Sequence, residues 1–181
     1  DRDIVESSNL GLQVLYDNND IGKPKAVIAE IKLKKINPNI KIESLVYDIN
    51  YDTIDILGKN FIIDCSDNLE TRYLLNEYCK KNKLDWIFST ASQDKGYVKY
   101  FKADEVCFNC IFPGKISSED CTNRGINIDN AKKISLAVLQ ALKERSGYLY
   151  YINKGEILTF KTNKNKNCEV CKGKSSYLSG L

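Results

Sequence analysis

The sequence predicts an α/β fold: a mostly parallel sheet flanked by helices, with antiparallel strands in the C-terminal half. Three observations carry this. Strand-like and helix-like patterns alternate through the first half, the signature of parallel strands joined by right-handed helical crossovers. Phe61–Cys65 (FIIDC) is a short continuous apolar run, as a strand buried on both faces would show. In the second half, alternating runs flank Asn153-Lys154-Gly155, the pattern of a hairpin.

The elements follow in order. Asp1–Gln13 (DRDIVESSNLGLQ) reads as the end of a strand followed by a loop. Gly22–Lys35 has helical spacing, with Ala26, Val27, Ile31 and Leu33 apolar, Pro24 in the tolerant first turn and Asn37-Pro38 as a stop. Ile40–Ile49 alternates apolar and polar residues and predicts a strand. After Phe61–Cys65, either Asp67 or Asn68 can cap a helix over 68–83. Asp85–Thr90 predicts a further strand, and Gly96–Lys102 an antiparallel one. Ala131–Lys143 is helical, with Ile134, Ala137, Val138, Ala141 and Leu142 on one side. Tyr148–Ile152 and Ile157–Lys161 are the hairpin strands, and a Lys/Asn-rich tail follows.

Composition narrows the function. The 181 residues fit one domain over 1–181, and 43% hydrophobic with 28% charged residues excludes a disordered chain. A net charge of +3 is too mild to demand a nucleic-acid or membrane partner. No apolar run approaches a membrane span, and no signal-peptide pattern opens the chain. With 0 Met, the chain is expected to be a fragment or a processed piece. With 0 His, any general base, nucleophile or metal ligand must be Asp, Glu, Lys, Tyr or Cys. An odd 7 Cys without a secretory signal favours reduced thiols, metal ligation and a cytoplasmic location.

Two CxxC pairs, Cys107/Cys110 and Cys168/Cys171, have knuckle spacing, and together they can give one tetrahedral ion four thiolates. Soft ligands with no open position point to structural Zn²⁺, with redox dithiols or chance spacing as the alternatives. Cys65 and Cys79 read as packing residues. Cys121 lies in the polar run SEDCTNRG, where Arg124 would activate the thiol and Glu119 and Asp120 would oppose this. Asp67 follows a buried strand, where open α/β sheets place ligands, and can hold Mg²⁺ against a nucleotide triphosphate or serve as a helix cap. Lys25, opening a helix after Gly22, can meet a phosphate or simply be solvated. Neither GxGxxG nor GxxxxGK[ST] occurs, so the chain has half of a nucleotide site.

In order, the segments DRDIVESSNLGLQVLYDNNDIGKPKA, INPNIKI, DCSDN, CFNCIF, EDCTNRGI and CEVC resemble the ThiF/MoeB/HesA adenylyltransferases, prokaryotic relatives of ubiquitin-activating enzymes. The resemblance runs over nearly the whole chain. It implies a Rossmann-like fold, and a further strand-turn-helix unit with a Gly-rich loop is expected upstream of Asp1. The implied activity is Mg-ATP-dependent adenylation of the C-terminal glycine carboxylate of a ubiquitin-like or sulfur-carrier protein ending in Gly-Gly. Asp1 matches the acid on the ribose hydroxyls. Ser8, Asn9 and Gln13 match the SNLxRQ motif at the phosphates, and Lys25 matches the GKPK lysine. Asp67 matches the Mg²⁺ ligand, with Asn68 beside it. Cys107, Cys110, Cys168 and Cys171 match the structural zinc site, and Cys121 the loop cysteine that forms a covalent link in ThiF-type members. A homodimer is also implied.

Two departures stand out. SNLxRQ reads SNLGLQ, with Leu12 where the family has arginine, so a charge-assisted donor to the triphosphate is missing. Ile-Asn-Ile-Asp-Asn follows Gly125, where relatives are mostly small and apolar. A catalytically impaired scaffolding half of an activating-enzyme dimer is therefore the alternative reading. A zinc module binding nucleic acid through the lysine-rich tail is a remote third, opposed by the low net charge and the absence of interleaved aromatics.

Overall fold

The computed structural model describes residues 1–113, 127–174 and 178. The chain forms two compact units, Asp1–Thr53 and Ile54–Leu181.

In the first unit, α1 (Lys25–Ile36) starts directly after Pro24, whose ring holds φ at −59°, a value suited to a helix start. It stops as the Asn37-Pro38 signal requires, with Asn37 N donating to Leu33 O at 2.9 Å. The expected strand end near Asp1 is a single antiparallel bridge, Ile4 to Pro24. The strand expected over Ile40–Ile49 does not form. A strand needs a neighbour for its N–H and C=O groups. Here Ser44 N donates instead to the Glu30 carboxylate at 2.7 Å, and Ile40, Leu45, Val46 and Tyr47 stay about half exposed.

The second unit is a five-stranded sheet in the order β1 (Ile62–Asp64), β2 (Trp86–Ser92), β3 (Lys95–Phe101), β4 (Tyr148–Asn153), β5 (Glu156–Lys161). The helices are α2 (Leu69–Asn82), α3 (Phe108–Ile111) and α4 (Ile128–Glu144). Among the described residues, β1 and β2 pair in parallel and every other ladder is antiparallel, which corrects the mostly parallel sheet to a mixed one. The segments at Asp1 and Ile40–Ile49 form no strand, while the antiparallel strands expected in the second half do form. Gln93-Asp94 returns β2 directly into β3, and Lys154-Gly155, both at positive φ as a type I′ turn needs, returns β4 into β5. β1 and β2 are joined through the crossover helix α2, whereas β3 and β4 pair antiparallel with α3 and α4 between them. Because β1 is an edge strand, Ile63 is 49% exposed and the expectation of burial on both faces fails.

Alternation splits the core in two. Ile87, Val98, Tyr100, Tyr150 and Ile152 face α4, which answers with Ile134, Ala137 and Ala141. The close approach depends on Gly96, where a Cβ would overlap Ile134 Cδ1 and Thr90 O. On the other face, Trp86, Phe88 and Phe101 pack with Tyr73 and Cys79 of α2 and Phe108 of α3. Trp86 and Phe101 stack at 4.8 Å between ring centres.

Candidate functional site

The segment Asp64–Asn68 leaves the C-terminal end of β1 and enters α2. The Asp64 carboxylate turns back on its own chain, accepting Ser66 N at 2.8 Å. The Arg72 guanidinium, one turn into α2, donates through Nη2 to Ser66 O, lies 5.2 Å from the Phe88 ring centre and pairs with Asp64. Burial pushes the Asp64 carboxyl above the usual range, against the pull of Ser66 and Arg72. With this loop anchored, Asp67 stands exposed, and its carboxylate has no hydrogen-bond or ion-pair partner among the described residues. The cap role falls to Asn68, whose Oδ1 accepts Thr71 N at 2.8 Å. Of the two candidate caps, one closes the helix and the other keeps its charge available. Cys79 packs as expected, but Cys65 is exposed because it lies just past the end of an edge strand.

The remaining candidates for nucleotide binding lie in the first unit. Asp1 Oδ1 accepts Asp3 N at 2.8 Å, and Asp3 O accepts Lys25 N, also at 2.8 Å. Lys25 Nζ meets Asp3 Oδ2 at 3.2 Å. Asp1 and Lys25 are thus gathered at the start of α1. Ser8 and Asn9 lie in a short 3-10 turn, Ser7–Asn9, in which Asn9 Oδ1 accepts Glu6 N at 3.0 Å and Ser8 Oγ donates to Glu6 Oε2 at 3.2 Å. Gln13 N donates to Asn9 O at 2.8 Å, and the Gln13 side chain is exposed. Leu12 is 44% exposed, so it fills no core position. No hydrogen bond joins the Ser8–Gln13 set to Asp1 or Lys25 among the described residues. Cys121 lies outside the described residues.

Cys107, Cys110, Cys168 and Cys171 converge, their four sulfurs within 4.8 Å of one another. Sγ–Sγ distances are 3.7 Å for Cys107–Cys110, 3.4 Å for Cys107–Cys168 and 3.6 Å for Cys110–Cys171. Four sulfurs about 2.3 Å from a tetrahedral ion stand about 3.8 Å apart, so the donor set and its spacing fit Zn²⁺. Cys107 caps α3, and Cys110 N donates to Cys107 O at 3.0 Å. The second pair follows Cys168 N to Asn165 O at 3.0 Å and a 3-10 turn, Val170–Lys172. Burial and the neighbouring thiols push the Cys107 thiol upward, so ionising it there calls for a compensating cation.

Sequence reasoning missed the residues that support both regions. Arg72 anchors the loop before Asp67, Asn76 holds the turn between Cys107 and Cys110, and Lys80 donates to Ala103 O and Glu105 O at 2.7 Å each. With Asn68 they recur every four residues along α2. Arg72 through Cys79 are all buried, so these polar groups need partners. The available signal was that four-residue polar spacing in a helix otherwise rich in Leu and Tyr.

The sequence matches the ThiF family over residues 1–177. It is 29% identical to the SAMP-activating enzyme E1 of Haloferax volcanii, covering 94% of this chain and 69% of that one. It is 30% identical to the sulfur carrier protein adenylyltransferase of Thermus thermophilus, covering 93% and 70%. The fold resembles that of E. coli MccB, solved with ATP, at a TM-score of 0.79 and 19% identity over 94% of this chain. The chain spans 57% of the length of that structure.

Proposed function

The chain belongs to the ThiF family, and from that premise we propose that it adenylates the C-terminal glycine carboxylate of a small ubiquitin-like or sulfur-carrier protein, using ATP and releasing pyrophosphate. The relatives named above are an activating enzyme and an adenylyltransferase of this kind. The observation that carries the reading is Asp67: an exposed carboxylate without a partner among the described residues, past the end of a strand paired in parallel, with the cap role taken by Asn68.

The chemistry is in-line attack of an ionised carboxylate on the α-phosphorus, so no general base is needed and the absence of histidine is no obstacle. Asp67 would hold Mg²⁺, which neutralises triphosphate charge when bound. Lys25 offsets the same charge. Asp3 is its ion-pair partner among the described residues, and that pairing reaches the surface. Gln13 and the amide nitrogen of Asn9 supply donors for phosphate oxygens, and Asp1 accepts from the ribose hydroxyls. Cys121 would attack the acyl-adenylate as thiolate, releasing AMP and forming a thioester. The four clustered thiolates would hold structural Zn²⁺, which calls for a reducing, cytoplasmic setting. Among the described residues, no helix is long and apolar enough to cross a membrane. Exposed Leu136 and Leu139 on α4 support a homodimer. Residues 1–181 act as one adenylyltransferase domain in this reading.

The test is ATP–pyrophosphate exchange by the complete gene product with carrier proteins ending in Gly-Gly. Carrier-dependent exchange establishes the activity, and no exchange with any carrier refutes it. Exposed Leu12 favours one second reading, a scaffolding half of an activating-enzyme dimer. Exchange that appears only after Leu12→Arg, a change with room at the surface, would establish that reading.

A further inference from the structure

Asn76 sits in the middle of α2 and is fully buried. Its amide is engaged at both ends. Oδ1 accepts Phe108 N at 2.9 Å, and Nδ2 donates to Asn109 Oδ1 at 2.7 Å. The orientation is forced, because the Phe108 N–H can meet only an acceptor. Phe108 and Asn109 are the two residues between Cys107 and Cys110. One side chain from a different element therefore fixes both residues that set the spacing of the first pair of thiols. The bonds on either side hold the flanks of this segment but do not enter it: Tyr73 OH donates to Phe112 O at 3.0 Å, and Lys80 Nζ to Ala103 O and Glu105 O.

We propose that Asn76 is a positioning residue of the thiolate site, ordering the Cys107–Cys110 turn in advance of the ion and so setting the affinity for Zn²⁺. This rests on reading the four cysteines as a metal site. Without the Asn76 amide, the Phe108 N–H, on a residue only 1% exposed, is left buried and unpaired. The turn can then relieve the deficit only by leaving the geometry that brings Cys110 to Cys107. Groups one step outside a metal's ligands typically change its affinity by about 10–100-fold.

The experiment measures Zn²⁺ affinity of the full chain by competition with a chromophoric chelator, together with the Co²⁺ ligand-field spectrum. The wild type is expected to bind one ion, and Asn76→Ala to bind about 10–100-fold more weakly with an altered Co²⁺ spectrum. Asn76→Asp keeps an acceptor for Phe108 N and loses the donor to Asn109. It is expected to weaken binding less than Asn76→Ala, as is Asn109→Ala; these two decide the matter should Asn76→Ala fail to fold. Leu74→Ala, buried on the same helix, should lower thermal stability while leaving affinity within twofold of wild type. Asn76 and Asn109 variants that all bind within twofold of wild type overturn the proposal, as does an equal loss of affinity in Leu74→Ala. A wild type that binds no zinc overturns the metal reading itself.

Discussion

Arg72 Nε and Asp64 Oδ2 meet at 3.7 Å with side chains 3% and 1% exposed, and neither atom has a hydrogen-bond partner among the described residues. Two opposite charges thus share a dry site without a direct hydrogen bond, directly beneath the loop that presents Asp67. Removing one member leaves the other uncompensated. Arg72→Ala is expected to destabilise the second unit by about 3–5 kcal/mol in chemical denaturation. The Asp64 carboxyl is already raised above 3.8, so the folded chain holds this proton more tightly than the unfolded chain. The contribution of this group to stability therefore falls as pH rises from 3.8 towards the higher folded value. Arg72→Ala should steepen that fall, and an unchanged pH profile would contradict the ion pair.

Asp67→Ala separates chemistry from folding. The side chain is exposed and the helix is capped by Asn68, so the change should alter stability by no more than about 0.5 kcal/mol. Carrier-dependent ATP–pyrophosphate exchange should fall at least about 100-fold, the scale expected when a group stabilising phosphoryl charge is lost. Retained exchange removes Asp67 from the metal role.

Cys168→Ser with Cys171→Ser removes one ligand pair. Zinc content by atomic absorption should drop from one ion per chain to none, and the melting temperature should fall with it. A chelator applied to the wild type should reproduce the same melting curve. Unchanged melting would mean that the cluster contributes nothing to the fold.

Lys99 is fully buried on β3, donating to Gly147 O at 2.6 Å and standing 5.4 Å from the Phe101 ring centre. Burial lowers its pKa to about 8, with Glu105 pulling upward and Lys102 downward. Below about 8 the folded chain carries a charge that it disfavours; between about 8 and 10.5 the unfolded chain binds that proton and the folded one does not, so this contribution to stability rises with pH. Lys99→Met should stabilise the protein by about 1–3 kcal/mol at pH 7 and abolish that rise. Gly147 O would not be orphaned, because Thr162 Oγ1 also donates to it at 2.9 Å.

Periodicity and spacing were enough for several parts. The buried stripe on α4, the hairpin around Lys154-Gly155 and the meeting of two distant CxxC pairs all stand where the sequence puts them. Ile40–Ile49 failed because alternation reports a face, not whether a neighbouring strand exists to pair with it. The antiparallel strands of the second half formed as their alternation implied; the sheet is mixed rather than mostly parallel because neither Ile40–Ile49 nor the segment at Asp1 forms a strand. Asp67 was legible as a candidate from its place after an apolar run. Arg72, Asn76 and Lys80 left only their four-residue spacing as a signal, because a single polar residue on a helix looks the same in sequence whether it faces water or a buried carbonyl.

The two thiol pairs stand 61 residues apart in the chain, and α4, β4 and β5 lie between them. An ion gripping all four sulfurs would close that stretch into a ring. Closing a loop of this length restricts the unfolded chain by about 4 kcal/mol in the cross-link model. The antiparallel half of the sheet would then be a clasped circuit, its unfolded form confined to a closed loop for as long as the ion stays bound. β1 and α2 lie outside that ring.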